Sequence, residues 1–136
     1  MRDLRRTLEL LQELRNLLSE MAYSVDAVIV EGRRDVEALR VLGFSKPIYT
    51  CSGTFMTRGE LCSAVAQECS RVAILTDMDE EGERLFTEFR RMLTEMGVAV
   101  EEFYRTRFKR ICLELHTNSV EGLLNVRKAV QGFKPM

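Results

Sequence analysis

Four short apolar runs, separated by stretches of helical periodicity, limit what this chain can fold into more than any other feature. Asp26–Glu31 (Asp-Ala-Val-Ile-Val-Glu), Pro47–Thr50, Val72–Thr76 and Val98–Phe103 predict strands. Between and after them the sequence predicts helices over Asp35–Leu42, ended by Gly43, and over Glu80–Met96, stopped by Gly97. Another is expected to start at Thr57, where Glu60 sits at capping-box spacing, and to run to about Cys69. Ser119 is placed to cap a last helix through Val130, with Gly132 and Pro135 ending the structure. Strands alternating with helices at this spacing predict βαβ units with right-handed crossovers. The expected fold is therefore α/β, with about four mainly parallel strands flanked by helices.

Ahead of the first strand, Leu4, Leu8, Leu11, Leu14, Leu18 and Met21 recur at three- and four-residue steps, which predicts an amphipathic helix over residues 2–21. Leu10 and Leu17 widen its apolar face beyond a coiled-coil seam, so the helix is expected to pack on the domain. Residues 1–24 then form an N-terminal helix against a domain of residues 25–136. Self-association through residues 4–21, as a homodimer, stays open.

At 136 residues, 46% hydrophobic and 30% charged, the chain has the composition of a globular domain. No apolar run approaches the ~20 residues that span a bilayer, and no signal-like core follows Met1, so a cytoplasmic protein without membrane partners is expected. Cys51, Cys62, Cys69 and Cys112 form no CxxC pair and read as small buried hydrophobes, with disulfides left open. A net charge of −1 gives no global basic field. The 16 Arg against 4 Lys do cluster, at Arg33-Arg34, Arg90-Arg91 and from Arg105 through Arg110, and Arg is the better bidentate phosphate ligand. Solvated helix faces are the alternative reading.

The third apolar run ends in Asp77, Asp79 and Glu81, three alternate carboxylates where a strand gives way to a helix. Ligands of open parallel sheets bind beyond the carboxyl ends of strands. Acids gathered there repel one another unless a cation is present, and oxygen-only ligation suits Mg²⁺ or Mn²⁺. Glu31 ends the first run in the same way, followed by Gly32, with Arg33 and Arg34 next. Some of these acids would hold a metal, and one left off it could act as general acid or base. Asp77-Met78-Asp79-Glu80-Glu81 would serve equally as a capping segment; the equivalent acid Glu31 is what favours a site.

Val28-Ile29-Val30-Glu31-Gly32-Arg33-Arg34-Asp35, followed by Ile74-Leu75-Thr76-Asp77-Met78-Asp79-Glu80-Glu81-Gly82-Glu83, resembles the Toprim domain. That family is shared by type IA and type II topoisomerases, bacterial primases, the ribonuclease that matures 5S ribosomal RNA, and overcoming-lysogenization-defect nucleases. The resemblance spans residues 25–105 and implies a Rossmann-like fold, with the N-terminal helix as an addition. By position, Glu31 matches the family's proposed general acid/base, and Asp77 and Asp79 match its metal-binding DxD pair. Glu81 matches a further acid, and Gly53 the glycine often found after the second strand. Arg33, the second catalytic candidate beside Glu31, stands where many members have Lys, keeping the charge but not a proton-donating ammonium, and Met78 stands where Pro is common. In length and N-terminal helix the chain looks most like the small stand-alone archaeal Toprim proteins.

No tyrosine domain accompanies the motif: Tyr23, Tyr49 and Tyr104 read as core or surface residues, so hydrolysis is favoured over strand passage. The expected function is Mg²⁺-dependent chemistry on nucleic-acid phosphodiesters, most like a small nuclease, with nucleotidyl transfer left open. The alternative is a non-catalytic Toprim module that binds nucleic acid or nucleotide inside a larger replication or RNA-processing assembly. Arg105, Arg107, Lys109 and Arg110 are expected on a basic loop after strand four, joining Arg34 and Gly53 in contacting RNA or DNA. His116 reads as a turn residue, and Met56, Met92 and Met96 as core filler.

Overall fold

The computed structural model describes residues 3–132; Met1, Arg2 and Pro135 lie outside the described residues. The elements are α1 (Leu4–Ser24), β1 (Ala27–Val30), α2 (Arg33–Val41), β2 (Ile48–Thr50), α3 (Arg58–Glu68), β3 (Arg71–Ile74), α4 (Glu80–Glu95), β4 (Ala99–Val100), α5 (Glu102–Glu114) and α6 (Val120–Gln131). The four strands form one all-parallel sheet in the order β2-β1-β3-β4. β1 pairs on both sides, with Ile29 opposite Tyr49 on β2 and Ile74 on β3.

Side chains alternate across a strand, and here the alternation builds a core on each face of the sheet. Val28, Val30, Ala73 and Leu75 point into a core completed by α1, α2, α5 and α6, including Leu14, Leu39, Phe108 and Leu123. Ala27, Ile29, Val72 and Ile74 point the other way, against Leu61 and Val65 of α3 and Phe89 and Leu93 of α4. Because both faces are covered, β1 is buried at all four positions, as expected of a strand in a parallel sheet.

Most of the leucine face of α1 is used within the chain, while Leu4 and Leu8 of the expected stripe stay exposed. Leu10, Leu14, Leu17 and Met21 are at most 2% exposed and pack toward α5 and α6. Ion pairs flank that contact: Arg6–Glu114 at 3.0 Å, Arg110–Glu13 at 2.8 Å, and Arg107 with Glu20.

The predicted caps recur in the structure. Thr57 Oγ1 accepts from the Glu60 amide while Glu60 Oε1 accepts from the Thr57 amide. Ser119 Oγ accepts from the Gly122 amide at the start of α6. Gly43 and Gly97 adopt φ of 99° and 85°, a region that glycine enters without strain. His116 also lies there, at φ 54°, in the turn after α5.

Three expectations need correction. The fourth strand ends at Val100, and the stretch expected to be a basic loop is the helix α5. Its buried apolar positions, Tyr104, Phe108, Ile111 and Cys112, keep a helical period that the intervening Arg and Lys residues obscure. Met56 and Met96 are exposed rather than core, while Met92 packs against the α3–α4 core. All four cysteines are free; Cys62, Cys69 and Cys112 are buried and Cys51 partly so. Among the described residues no helix is long and apolar enough to cross a membrane.

Candidate functional site

In the order β2-β1-β3-β4, the chain leaves β1 toward one edge and leaves β3 toward the other. The crevice between the carboxyl ends of β1 and β3 is thus a topological switch point, where open α/β sheets bind ligands. Glu31 and Asp77 meet there. The Asp77 amide donates to Glu31 Oε1 at 2.9 Å, joining two residues 46 positions apart.

Each acid of the group has a distinct environment. Asp77 is partly buried, and its Oδ1 is a buried atom without a hydrogen-bond partner. Burial first, then the charges of Glu31, Asp35 and Asp79, pushes its carboxyl up to about 7. Burial also raises Glu31; the Asp77 amide works against this, and Asp79, Asp35 and Glu81 add to it. Asp79 is the N-cap of α4, with Oδ1 accepting from the Gly82 amide at 2.7 Å. Glu81 is exposed and takes Arg84 as a partner at 2.7 Å. The capping reading of this segment therefore holds for Asp79, whereas Asp77 caps nothing.

Gly82 shows why the acidic segment needs its glycine. A Cβ built there would lie 1.8 Å from the Asp77 carbonyl oxygen and 2.5 Å from its carbon. The first turn of α4 is pressed onto the backbone of Asp77, and the Thr76 hydroxyl donates to the Gly82 carbonyl at 2.7 Å. Gly32 differs. Its backbone is extended, and a Cβ there would meet only Ser52 Oγ, at 3.5 Å, so no protein backbone exploits the space it leaves.

Around the acids, the structure sorts the basic residues that the sequence proposed for phosphate contact. Arg33 and Arg34, at the start of α2, have side chains 92% and 82% exposed, near Glu37 and Glu121 respectively. Gly53, at φ 73°, lies in the loop after β2, where Ser52 donates through both its amide and its hydroxyl to the Glu31 carbonyl. Arg105 is not presented to a ligand. It is 5% exposed, and its guanidinium donates to the carbonyls of Ile74 and Thr76 at 3.1 and 3.0 Å and to Glu83 at 3.0 Å. It also stacks over the Phe86 ring at 4.5 Å and so braces the β3–α4 turn from below. Burial pulls its pKa down while Glu83 opposes that. Arg107 and Arg110 turn toward Glu20 and Glu13 of α1, and Lys109 lies 3.9 Å from Glu83. The expected basic loop is in fact a helix whose charges have internal partners.

Three contributors were not singled out from sequence. Asp35 is 7% exposed and accepts from the Gly32 and Glu121 amides, tying the start of α6 to the start of α2. Burial raises its pKa against those two bonds. The Asn118 carbonyl accepts from the Met78 amide at 2.6 Å, fixing the residue between the two aspartates. Arg58, just after the Thr57 cap, lines an open pocket of ≈230 Å³ with Glu31, Cys51, Ser52, Glu81 and Leu85. An acidic residue four positions after Glu31 was the available signal for Asp35; Arg58 carried none beyond its charge.

The donor set fits a hard divalent cation in chemistry: carboxylate oxygens, one of them buried without a partner, among acids whose mutual repulsion a cation would relieve. Among the described residues no three His, Cys, Asp or Glu side chains are already converged on one point. Asp79 and Glu81 each commit one carboxylate oxygen, to the Gly82 amide and to Arg84 respectively, which leaves the second oxygen of each for a cation.

Residues 26–111 match the family model for the Toprim domain. A UPF0292 protein of Thermococcus onnurineus is 35% identical over 95 residues, covering 70% of this chain and 69% of that protein. One of Pyrococcus abyssi is 33% identical over 100 residues, covering 74% and 73%. One of Pyrococcus horikoshii is 36% identical over 85 residues, covering 62% of each, so the match spans less than two thirds of that relative. In structure the chain is similar to a protein from Aquifex aeolicus, with a TM-score of 0.61 and 23% identity over 83% of this chain and 94% of that one. At that identity the likeness shows the fold alone.

Proposed function

The chain belongs to the Toprim domain family, and from that premise we propose that it is a small metal-dependent nuclease acting on nucleic-acid phosphodiesters. Family membership connects it with metal-dependent, nucleic-acid-related function; the hydrolytic reading goes further. One observation carries it: Asp77 holds a buried carboxylate oxygen without a partner, directly beside Glu31.

Asp77 and Asp79, with Glu81 in reach, are the side chains that would hold Mg²⁺ or Mn²⁺. When bound, such an ion supplies charge stabilisation at a phosphoryl oxygen. Glu31 keeps Oε1 on the Asp77 amide, leaving Oε2 as the atom that would take or give a proton. Its raised pKa brings proton exchange nearer neutral pH, as a general acid or base requires. Arg33, and Arg34 beside it, extend into solvent and would hold the nucleic-acid backbone.

Calorimetric titration of Mg²⁺ and Mn²⁺ into the wild type and Asp77→Asn, with a labelled RNA and DNA panel incubated alongside, tests the reading. Metal binding and cleavage that both vanish in the mutant are expected. The commitment of Asp79 to capping α4 favours a second reading, a binding module within a larger assembly. Metal-independent, salt-sensitive binding that survives Asp77→Asn and Glu31→Gln, without cleavage, would select it.

A further inference from the structure

The loop between β2 and α3 carries an apolar side chain that the fold does not use. Phe55 is 109% exposed, and Met56 beside it is 48% exposed. The loop is anchored at both ends. Ser52 is tied to the Glu31 carbonyl at 2.7 Å, and Thr57 is locked to Glu60 by reciprocal bonds of 2.9 and 3.1 Å. Both anchors adjoin the acid crevice, because Ser52 and Arg58 line the same pocket as Glu31 and Glu81. An exposed aromatic residue thus sits on the short loop that joins two wall residues of the crevice.

We infer that Phe55 is a stacking platform for an unpaired nucleobase, and that the crevice therefore selects single-stranded nucleic acid. The inference rests on the reading of the crevice as a nucleic-acid site and adds the form of the substrate. Every base has a π-face, so stacking on an aromatic side chain tolerates sequence but requires that face to be free. In a duplex, neighbouring pairs cover it. Arg58 lines the same pocket while paired with Glu88, and the acids beside it offer a place for a divalent ion, so a phosphodiester next to the stacked base would draw on that ion and on Arg58 released from Glu88. Met56 widens the apolar surface with a flexible, polarizable side chain.

The chain contains no tryptophan, so Phe55→Trp installs a single fluorescent reporter at an exposed position where folding is undisturbed. Full-length Phe55→Trp and Phe55→Ala are titrated with single-stranded oligonucleotides, DNA and RNA, and with duplexes of the same sequence, in Mg²⁺; oligonucleotide integrity is read on a gel. The inference predicts quenched tryptophan emission with single strands and not with duplexes. It also predicts roughly 5- to 100-fold weaker single-strand binding in Phe55→Ala, with duplex binding little changed. Emission unaffected by every oligonucleotide overturns the platform, even if the chain cleaves; quenching without cleavage keeps the platform and removes the nuclease. Equal quenching by both forms overturns the selectivity. A self-associated species lost in Phe55→Ala, with single-strand affinity unchanged, would assign the patch to a second copy of the chain and overturn the inference.

Discussion

Replacing Gly82 with alanine separates two physical arguments because they predict opposite signs. By helix propensity alone, Gly→Ala inside α4 stabilises by up to ~1 kcal/mol. The packing predicts the reverse. The new Cβ would lie 1.8 Å from the Asp77 carbonyl oxygen, so α4 and the β3–α4 turn must separate well beyond an ångström to reach ordinary contact. A shift of that size breaks the 2.7 Å bond from the Gly82 amide to Asp79, worth ~1 kcal/mol as a cap. It also breaks the buried 2.7 Å bond from Thr76 to the Gly82 carbonyl, worth about 1 kcal/mol. Overpacking strain adds ~1–3 kcal/mol. After the propensity gain, the net loss is about 2–4 kcal/mol, or roughly 8–16 °C in Tm for a domain of this size. Thermal unfolding followed by circular dichroism measures it. Gly59→Ala is the internal control, since its Cβ would meet only Met92 Cε at 3.8 Å and Thr57 Oγ1 at 4.0 Å, and it should leave Tm unchanged or higher. A Gly82→Ala variant as stable as the wild type would refute the close approach of α4 to Asp77.

Three other perturbations probe the same architecture. In chelator, the Asp77 contribution to stability should fall as pH rises from about 4 to about 7, because folding raises its carboxyl from 3.8 to about 7 and the charged form is the disfavoured one. The Asp77 share is on the order of 1–2 kcal/mol once solvent screening of a partly buried group is allowed for. Asp77→Asn should flatten that stretch of a pH-dependent denaturation series, and an unchanged slope would count against the buried acid. Arg105→Met should cost ~2–4 kcal/mol in guanidinium unfolding, since the buried carbonyls of Ile74 and Thr76 lose their shared donor; a loss below ~1 kcal/mol would show that the guanidinium does not brace the turn. Leu14→Ala, in a side chain 2% exposed, should cost ~2–5 kcal/mol in one cooperative transition, whereas a detachable N-terminal arm would give almost no change.

The sheet and its acids were readable because parallel strands buried on both faces are short apolar runs, and because Glu31 and Asp77 stop two of those runs. Their adjacency was an expectation that only strand order could decide, and β1 and β3 are indeed neighbours. The 105–110 segment was misread for a physical reason. A charged residue is ordinarily solvated, and Arg105 is tolerated inside only because strand-end carbonyls and Glu83 receive its guanidinium. Nothing local in the sequence announces acceptors some 30 positions away. Asp35 was hidden similarly, since its partner amide belongs to Glu121. The loop at Phe55 was passed over because an apolar residue between turn formers gives no sign of being left in water.

The acids are held by parts of the chain far from them: Met78 by Asn118, Asp35 by Glu121, and the Asp77 carbonyl region by Arg105. During synthesis, then, Glu31 and Asp77 can emerge and even pair before the residues that set their geometry exist. A chain released short of residue 118 would display every acidic residue of the crevice yet lack the contacts from Asn118 and Glu121. Competence of the crevice is in this sense acquired only once residues 118–121 have been made, rather than when its motif is translated.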